Sequence, residues 1–127
     1  MQSKKVYFVS GIDTDAGKSV VTGLLARDMN AHNERTITQK FIQTGNTGIS
    51  EDIELHRRIM GIPLQQVDLD GTTCPIIFTY PSSPQLAAEI DHREIDLSLV
   101  EKSTAKLLES YDTVLLEGAG GLFVPLT

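Results

Sequence analysis

The chain has 127 residues, with 17 acidic and 11 basic side chains and a formal net charge of −6. That length fits one domain with a real core, and the negative balance excludes a general nucleic-acid binder while leaving anionic substrates to local lysines. A single cysteine, Cys74, excludes an internal disulfide framework and suits a reducing, cytoplasmic setting, and no apolar run approaches the ~20 residues that cross a bilayer.

Met1 to Lys5 reads as leading straight into a strand, without the apolar stretch of a signal peptide. Val6 to Val9 is a short apolar run and reads as that buried strand. Gly11-Ile12-Asp13-Thr14-Asp15-Ala16-Gly17-Lys18-Ser19 follows, a glycine loop of the kind that wraps phosphate. Five residues separate Gly11 from Gly17-Lys18, where the common phosphate loop has four. The physics survives the insertion. Gly17 lets backbone approach a phosphate without a Cβ clash, Lys18 can bridge β- and γ-phosphates, and the Ser19 hydroxyl can ligate Mg²⁺. Residues 17 to about 31 read as a helix whose N-terminal dipole adds to the anion site. Val20, Val21, Leu24 and Leu25 recur in it at helical spacing and are expected to pack on a sheet.

Arg35 to Phe41 suits a second strand with Lys40 at its end. Ser50 is placed to cap a helix that begins with Glu51-Asp52, runs to Met60 and is stopped by Gly61-Ile62-Pro63. Asp70-Gly71 marks a turn, and Cys74 to Phe78 reads as a short strand. Free cysteine packs as a small hydrophobe, so Cys74 reads as buried rather than nucleophilic. Pro81-Ser82-Ser83-Pro84 opens a loop, and Gln85 to Ile90 suits a helical turn or two. Leu97, Val100, Thr104, Leu107, Leu108 and Tyr111 share one face of a helix from Asp96 to Ser110. Thr113 to Leu116 is the last strand, and it delivers Glu117 to Gly118-Ala119-Gly120-Gly121. A solvated surface acid needs no such glycines, whose N–H groups can receive a phosphate or a carbamate.

Strands alternating with helices imply an α/β fold: a mostly parallel sheet flanked by helices on both faces, of the P-loop NTPase kind. Ligands in such sheets bind beyond the carboxyl ends of the strands, where Gly11, Lys40 and Glu117 are expected to meet. Phosphate loop and strand-end carboxylate together point to nucleoside triphosphate chemistry. His32, His56 and His92 are widely spaced among polar residues and read as surface or helix-face side chains, not ligands.

Four segments taken in order are more specific. Gly-x-Asp-Thr-Asp-Ala-Gly-Lys-Ser, then Gln39-Lys40-Phe41-Ile42-Gln43-Thr44-Gly45, then Asp52, then Glu117-Gly118-Ala119-Gly120-Gly121, together resemble dethiobiotin synthetase. The resemblance runs through the whole chain. It implies an ATP- and Mg²⁺-dependent cyclo-ligase of biotin synthesis that joins CO₂ or bicarbonate to 7,8-diaminopelargonate, cytoplasmic and homodimeric. It implies catalytic roles for Lys40, Lys18 and Thr14, and substrate contacts from Thr14, Lys40, Thr44 and Gly121. ATP would lie against Asp15, Ala16, Gly17, Lys18, Ser19, Val20, Asp52, Glu117, Gly118, Ala119 and Gly120, with Ser19, Asp52 and Glu117 on the metal. Asp52 by itself is an ordinary acid in a first helical turn; the family pattern gives it the metal role.

Ile12 stands where that family often has Thr, Asp15 where Glu is common, and Phe41 where Pro is usual. Only Asp15 alters a group facing substrate. Family members also extend well beyond this length, so residues 1–127 are expected to form a single P-loop ATPase-like domain that is the N-terminal part of a longer one. Two alternatives stay open. One is another P-loop ATPase of partitioning or cofactor-assembly type, which the absence of a second early loop lysine disfavours. The other is a non-catalytic nucleotide-binding fragment.

Overall fold

In a computed structural model, the structure describes residues 4–10, 15–45, 48–78, 89 and 96–118. Three parallel strands, β1 (Lys5–Val9), β2 (Thr36–Lys40) and β3 (Thr113–Glu117), form a sheet in the order β1-β3-β2. The register sets Val9 and Lys40 on either side of Glu117, so three strand ends finish level. Helices α1 (Asp15–Ala31), α2 (Glu51–Met60), α3 (Gln66–Leu69) and α4 (Leu97–Ser110) accompany them. The expected α/β arrangement is present.

Side chains alternate along each strand, and the two faces carry different chemistry. On one face Ile37 and Val114 pack with Leu107 of α4, while Leu116 joins Ile42, Ile76, Phe78 and Val100. On the other face Leu115 packs with Ala26 of α1 and Met60 of α2. That second face also carries Thr38, Lys40 and Glu117, all buried. A sheet face covered by helices would normally carry apolar residues there.

The helix ends follow their chemistry. Ser50 Oγ accepts from the Ile53 N–H at 3.2 Å, acids fill the first turn of α2, and Gly61 closes it in the left-handed conformation at φ 74°. Asp96 Oδ1 accepts from the Ser98 N–H at 3.0 Å to start α4.

Three expectations need correction. Cys74 to Phe78 makes no strand; it makes one isolated parallel bridge, Gln43 to Ile77. Pro75 has no N–H to give a ladder, and the segment instead follows the outer side of β2 with Thr73 O accepting from Lys40 N at 2.7 Å. The second concerns α1. Val20, Val21, Leu24 and Leu25 lie 40–49% exposed, while Lys18, Ser19, Thr22, Gly23 and Ala26 are buried. On the edge strand, Val6, Tyr7 and Phe8 are also 45–56% exposed, so the run read as a buried strand is open on its outer side. Single-turn α3 was not legible, because one turn has no hydrophobic period. Pro81 to Pro84 lies outside the described residues, as does Gln85 to Ile90 apart from Glu89, which is helical.

Helices α1 and α2 cross closely. A Cβ built on Gly23 would stand 3.0 Å from Ile59 Cβ and 3.1 Å from its Cγ2. A side chain there must push the helices apart. Gly23→Val is expected to lower stability by about 1–3 kcal/mol, the usual cost of overpacking. Chemical denaturation checks this; a variant as stable as the parent would show that the crossing is slack.

Candidate active site

The parallel register and the helix period together assemble the site. Lys40 and Glu117 are paired across neighbouring strands at their carboxyl ends. Asp52 and His56 lie one turn apart on α2, which presents them to that same sheet face. Ser19 and Lys18 arrive from the first turns of α1.

The centre is a buried cation between two acids. Lys40 Nζ lies 2.6 Å from Asp52 Oδ2 and 2.7 Å from Glu117 Oε2, and donates to Gly118 O at 3.3 Å. Glu117 Oε2 also accepts from Ser19 Oγ at 3.1 Å, and Oε1 accepts from His56 Nε2 at 2.8 Å. Lys18 Nζ donates to Gly118 O at 3.5 Å, which brings the loop lysine to the same strand end. Lys40 is 1% exposed and Glu117 and His56 are 0% exposed.

These contacts set the protonation states. Burial pushes the Glu117 carboxyl up, but the hydrogen bond from His56 and the charge of Lys40 outweigh it and hold the group at about 2. Burial likewise works against the charged form of Lys40, and the charges of Glu117 and Asp52 overcome it, raising the ammonium above its ordinary value. Lys40 therefore keeps its proton and acts as a donor and a charge, not as a base. Asp52 is raised, because burial outweighs the pull of Lys40. Away from this cluster, burial pushes the Cys74 thiol up to about 12, in keeping with a packing role.

Ser19, Asp52, Glu117, Lys18, Lys40 and Gly118 thus come together, while Gly11, expected to meet Lys40 and Glu117, lies outside the described residues. Thr44 is half-buried just beyond β2, its carbonyl accepting from the Gln43 amide at 3.3 Å; Gly17 and Val20 are exposed on α1. Thr14, Ala119, Gly120 and Gly121 lie outside the described residues, as do the side chains of Asp15 and Ala16. His32 is exposed, as read, and His92 lies outside the described residues. His56 is the correction. It is no surface residue but a buried partner of Glu117. The signal that could have found it is its spacing of one helical turn from Asp52, on the side that meets Lys40 and Glu117.

Among the described residues no three His, Cys, Asp or Glu side chains cluster as a ready metal-ligand set. The donors around Lys40 Nζ are nonetheless oxygens with two carboxylates, a set that suits Mg²⁺ in charge and hardness. No helix among the described residues is long and apolar enough to cross a membrane.

Removing the central cation steepens a pH dependence that is already present. Asp52 already sits above its unfolded value, so its ionised form costs stability, and that cost is relieved as pH falls through its folded value. Without Lys40, nothing restrains the rise. Lys40→Met is expected to lower stability by about 3–5 kcal/mol at neutral pH, as for any broken buried pair. Its melting temperature should then climb on acidification toward about pH 5 more steeply than the parent's. Thermal melts across that range decide; parallel curves would show that Lys40 does not compensate Asp52.

A family model described as an AAA domain matches residues 5–127. The ATP-dependent dethiobiotin synthetase BioD of Chlorobaculum tepidum is 59% identical over 97% of this chain and 52% of its own length. The ATP-dependent dethiobiotin synthetases BioD 2 of Haemophilus influenzae and Pasteurella multocida are 54% and 53% identical, each over 95% of this chain and over 63% and 57% of their own lengths. The chain thus spans about half to three-fifths of the curated relatives it matches. With the parallel sheet, the strand-end Lys40–Glu117 pair and a match over almost all of its length, the chain belongs to the AAA domain family and is similar there to the ATP-dependent dethiobiotin synthetases.

Proposed function

We propose that this chain carries the phosphate and carbamate chemistry of an ATP-dependent dethiobiotin synthetase. The observation that supports it best is the convergence of Lys40, Asp52, Glu117 and Ser19 at one strand end, with Lys18 on the neighbouring carbonyl. Such a site brings two lysines and two carboxylates to the place where a phosphoryl group would be transferred. The relatives' names supply the substrate class.

In this reading one amine of 7,8-diaminopelargonate attacks CO₂, drawn from bicarbonate, and loses a proton to give a carbamate. A carbamate oxygen attacks the γ-phosphorus of ATP; the bond from that phosphorus to the bridging oxygen breaks and ADP leaves. The product is a carbamic–phosphoric anhydride. The second amine then attacks the carbamoyl carbon, closes the cyclic urea, loses its proton and expels phosphate. No covalent bond to protein is needed, so positioning and charge stabilisation carry the rate. Lys18 and Lys40 donate to oxygens on which negative charge gathers. Lys40, held protonated by Glu117 and Asp52, suits that task and not proton abstraction. In this reading Thr14, Asp15, Thr44 and Gly121 would serve the diamine side, and Gly118, Ala119 and Gly120 would serve the phosphates. Ser19, Asp52 and Glu117 would hold Mg²⁺, which supplies charge compensation for the phosphates when bound. The reading includes a cytoplasmic homodimer.

Phosphate release from Mg-ATP, measured with and without diaminopelargonate and bicarbonate, tests the reading, with Lys18→Ala as control. Release that requires both co-substrates is the expected result; ATP binding without amine-dependent release would favour the non-catalytic alternative. Lys40→Gln is expected to lower kcat by ~10²–10³-fold, the usual loss for one transition-state donor, while ATP binding changes little. Equal loss of both would count against Lys40 at the reacting centre.

A further inference from the structure

Behind the site runs a line of buried polar side chains that the proposed chemistry does not use. Asp68 of α3 grips Arg57 of α2 in a two-pronged pair, Oδ2 accepting from Nε at 2.9 Å and Oδ1 from Nη2 at 2.8 Å. The third guanidinium nitrogen, Nη1, donates to Thr38 Oγ1 at 2.7 Å. That oxygen in turn lies 2.6 Å from His56 Nδ1, and His56 Nε2 lies 2.8 Å from Glu117 Oε1. Every member is 4% exposed or less.

With the His56 ring neutral, one order of donors satisfies this line. A guanidinium only donates, so Thr38 Oγ1 accepts from Arg57. The hydroxyl has one proton left to place, and in a buried site the ring nitrogen beside it is the acceptor at hand. His56 Nδ1 therefore accepts, which puts the ring proton on Nε2, pointed at Glu117. One carboxylate oxygen is thereby occupied by His56, and the other is left to Ser19 and Lys40. Without the His56 bond, nothing described holds Oε1, and the carboxylate is free to turn about its last torsion, which has a broad profile.

We propose that His56 is a positioning residue: through its Nε2–H it fixes the rotation of Glu117 so that Oε2 faces the phosphate and cation side of the site. This rests on the reading of Glu117 as a ligand of a divalent cation given above. The residue touches neither nucleotide nor substrate; it acts only through Glu117. Asp68, Arg57 and Thr38 set its tautomer.

Mn²⁺ provides the probe, followed by electron paramagnetic resonance in the presence of ATP, alongside ¹⁵N NMR of the histidine ring. The parent is expected to show the Nε2–H tautomer at His56. His56→Leu keeps the bulk and loses the donor, and should weaken Mn²⁺ binding by ~10–100-fold, the range found when a partner behind a metal ligand is removed. His56→Gln, whose amide can donate to Glu117, should recover most of that loss at a similar melting temperature. Thr38→Val, which frees the tautomer while leaving Glu117 and His56 unsubstituted, should weaken Mn²⁺ in the same direction and carries the test should His56→Leu fail to fold. An Nδ1–H tautomer in the parent, or Mn²⁺ binding by His56→Leu as tight as the parent's, overturns the proposal. Failure of the underlying reading looks different: the parent itself then binds no Mn²⁺ with ATP, which removes the cation that His56 would serve.

Discussion

The rest of the site depends on one ammonium group held out of water between two carboxylates. Taking Lys40, Asp52 and Glu117 from water carries a desolvation cost of several kcal/mol for each ion, which only close, well-aligned pairing can offset. The distances of 2.6 and 2.7 Å supply that pairing, and Ser19 and His56 satisfy further lone pairs of Glu117. As a stabilising device this is poor, since an apolar trio of the same volume would hold the sheet to the helix at least as well. Its value is chemical. Charged groups are kept dry and oriented at the end of a sheet, so little reorganisation is needed when a reacting group meets them.

Backbone geometry does the placing. Parallel pairing at Lys40 and Glu117 brings both side chains to one face at one level. Helix α2 then spans that face with the period needed to offer Asp52 to Lys40 and His56 to Glu117. Gly23 contributes at a distance, because the close α1–α2 crossing that it permits brings α1, and so Ser19, near Glu117. A change in strand register by one residue would send Lys40 to the α4 face and dismantle every contact in the cluster.

Much of this was legible in the sequence because it rests on local or periodic signals. Gly17-Lys18-Ser19, Ser50 as a cap, Gly61 as a stop and Glu117 at a strand end each have a short-range physical cause, and each stands where it was expected. The roles of Lys40 and Asp52 were legible only by resemblance to a family pattern, since a lysine at a strand end or an acid in a first helical turn alone carries no such meaning. What escaped was tertiary. Nothing local in Leu55-His56-Arg57-Arg58 says that two of those four side chains are buried, because the burial is created by Glu117, Thr38 and Asp68 from other elements. Cys74 to Phe78 failed as a strand for a related reason: β propensity is met only where a partner strand continues, and β2 ends at Lys40.

The orientation of α1 shows which constraint prevails when two conflict. Hydrophobic burial alone would turn Val20, Val21, Leu24 and Leu25 toward the sheet. Lys18 and Ser19 must instead reach Gly118 and Glu117, and on a helix that choice fixes the inward side for the next two turns. Thr22, Gly23 and Ala26 follow them inward at i+4 and i+7 spacing, and the four larger residues are carried outward. Each of them forgoes part of the ~1.5–3 kcal/mol that full burial of such a side chain gives. The small inward residues give something back, since Thr22 Oγ1 bonds Lys18 O at 2.7 Å and Gly23 lets α2 approach. The helix is thus aimed by the anion site at its first turn, and its packing is arranged around that aim.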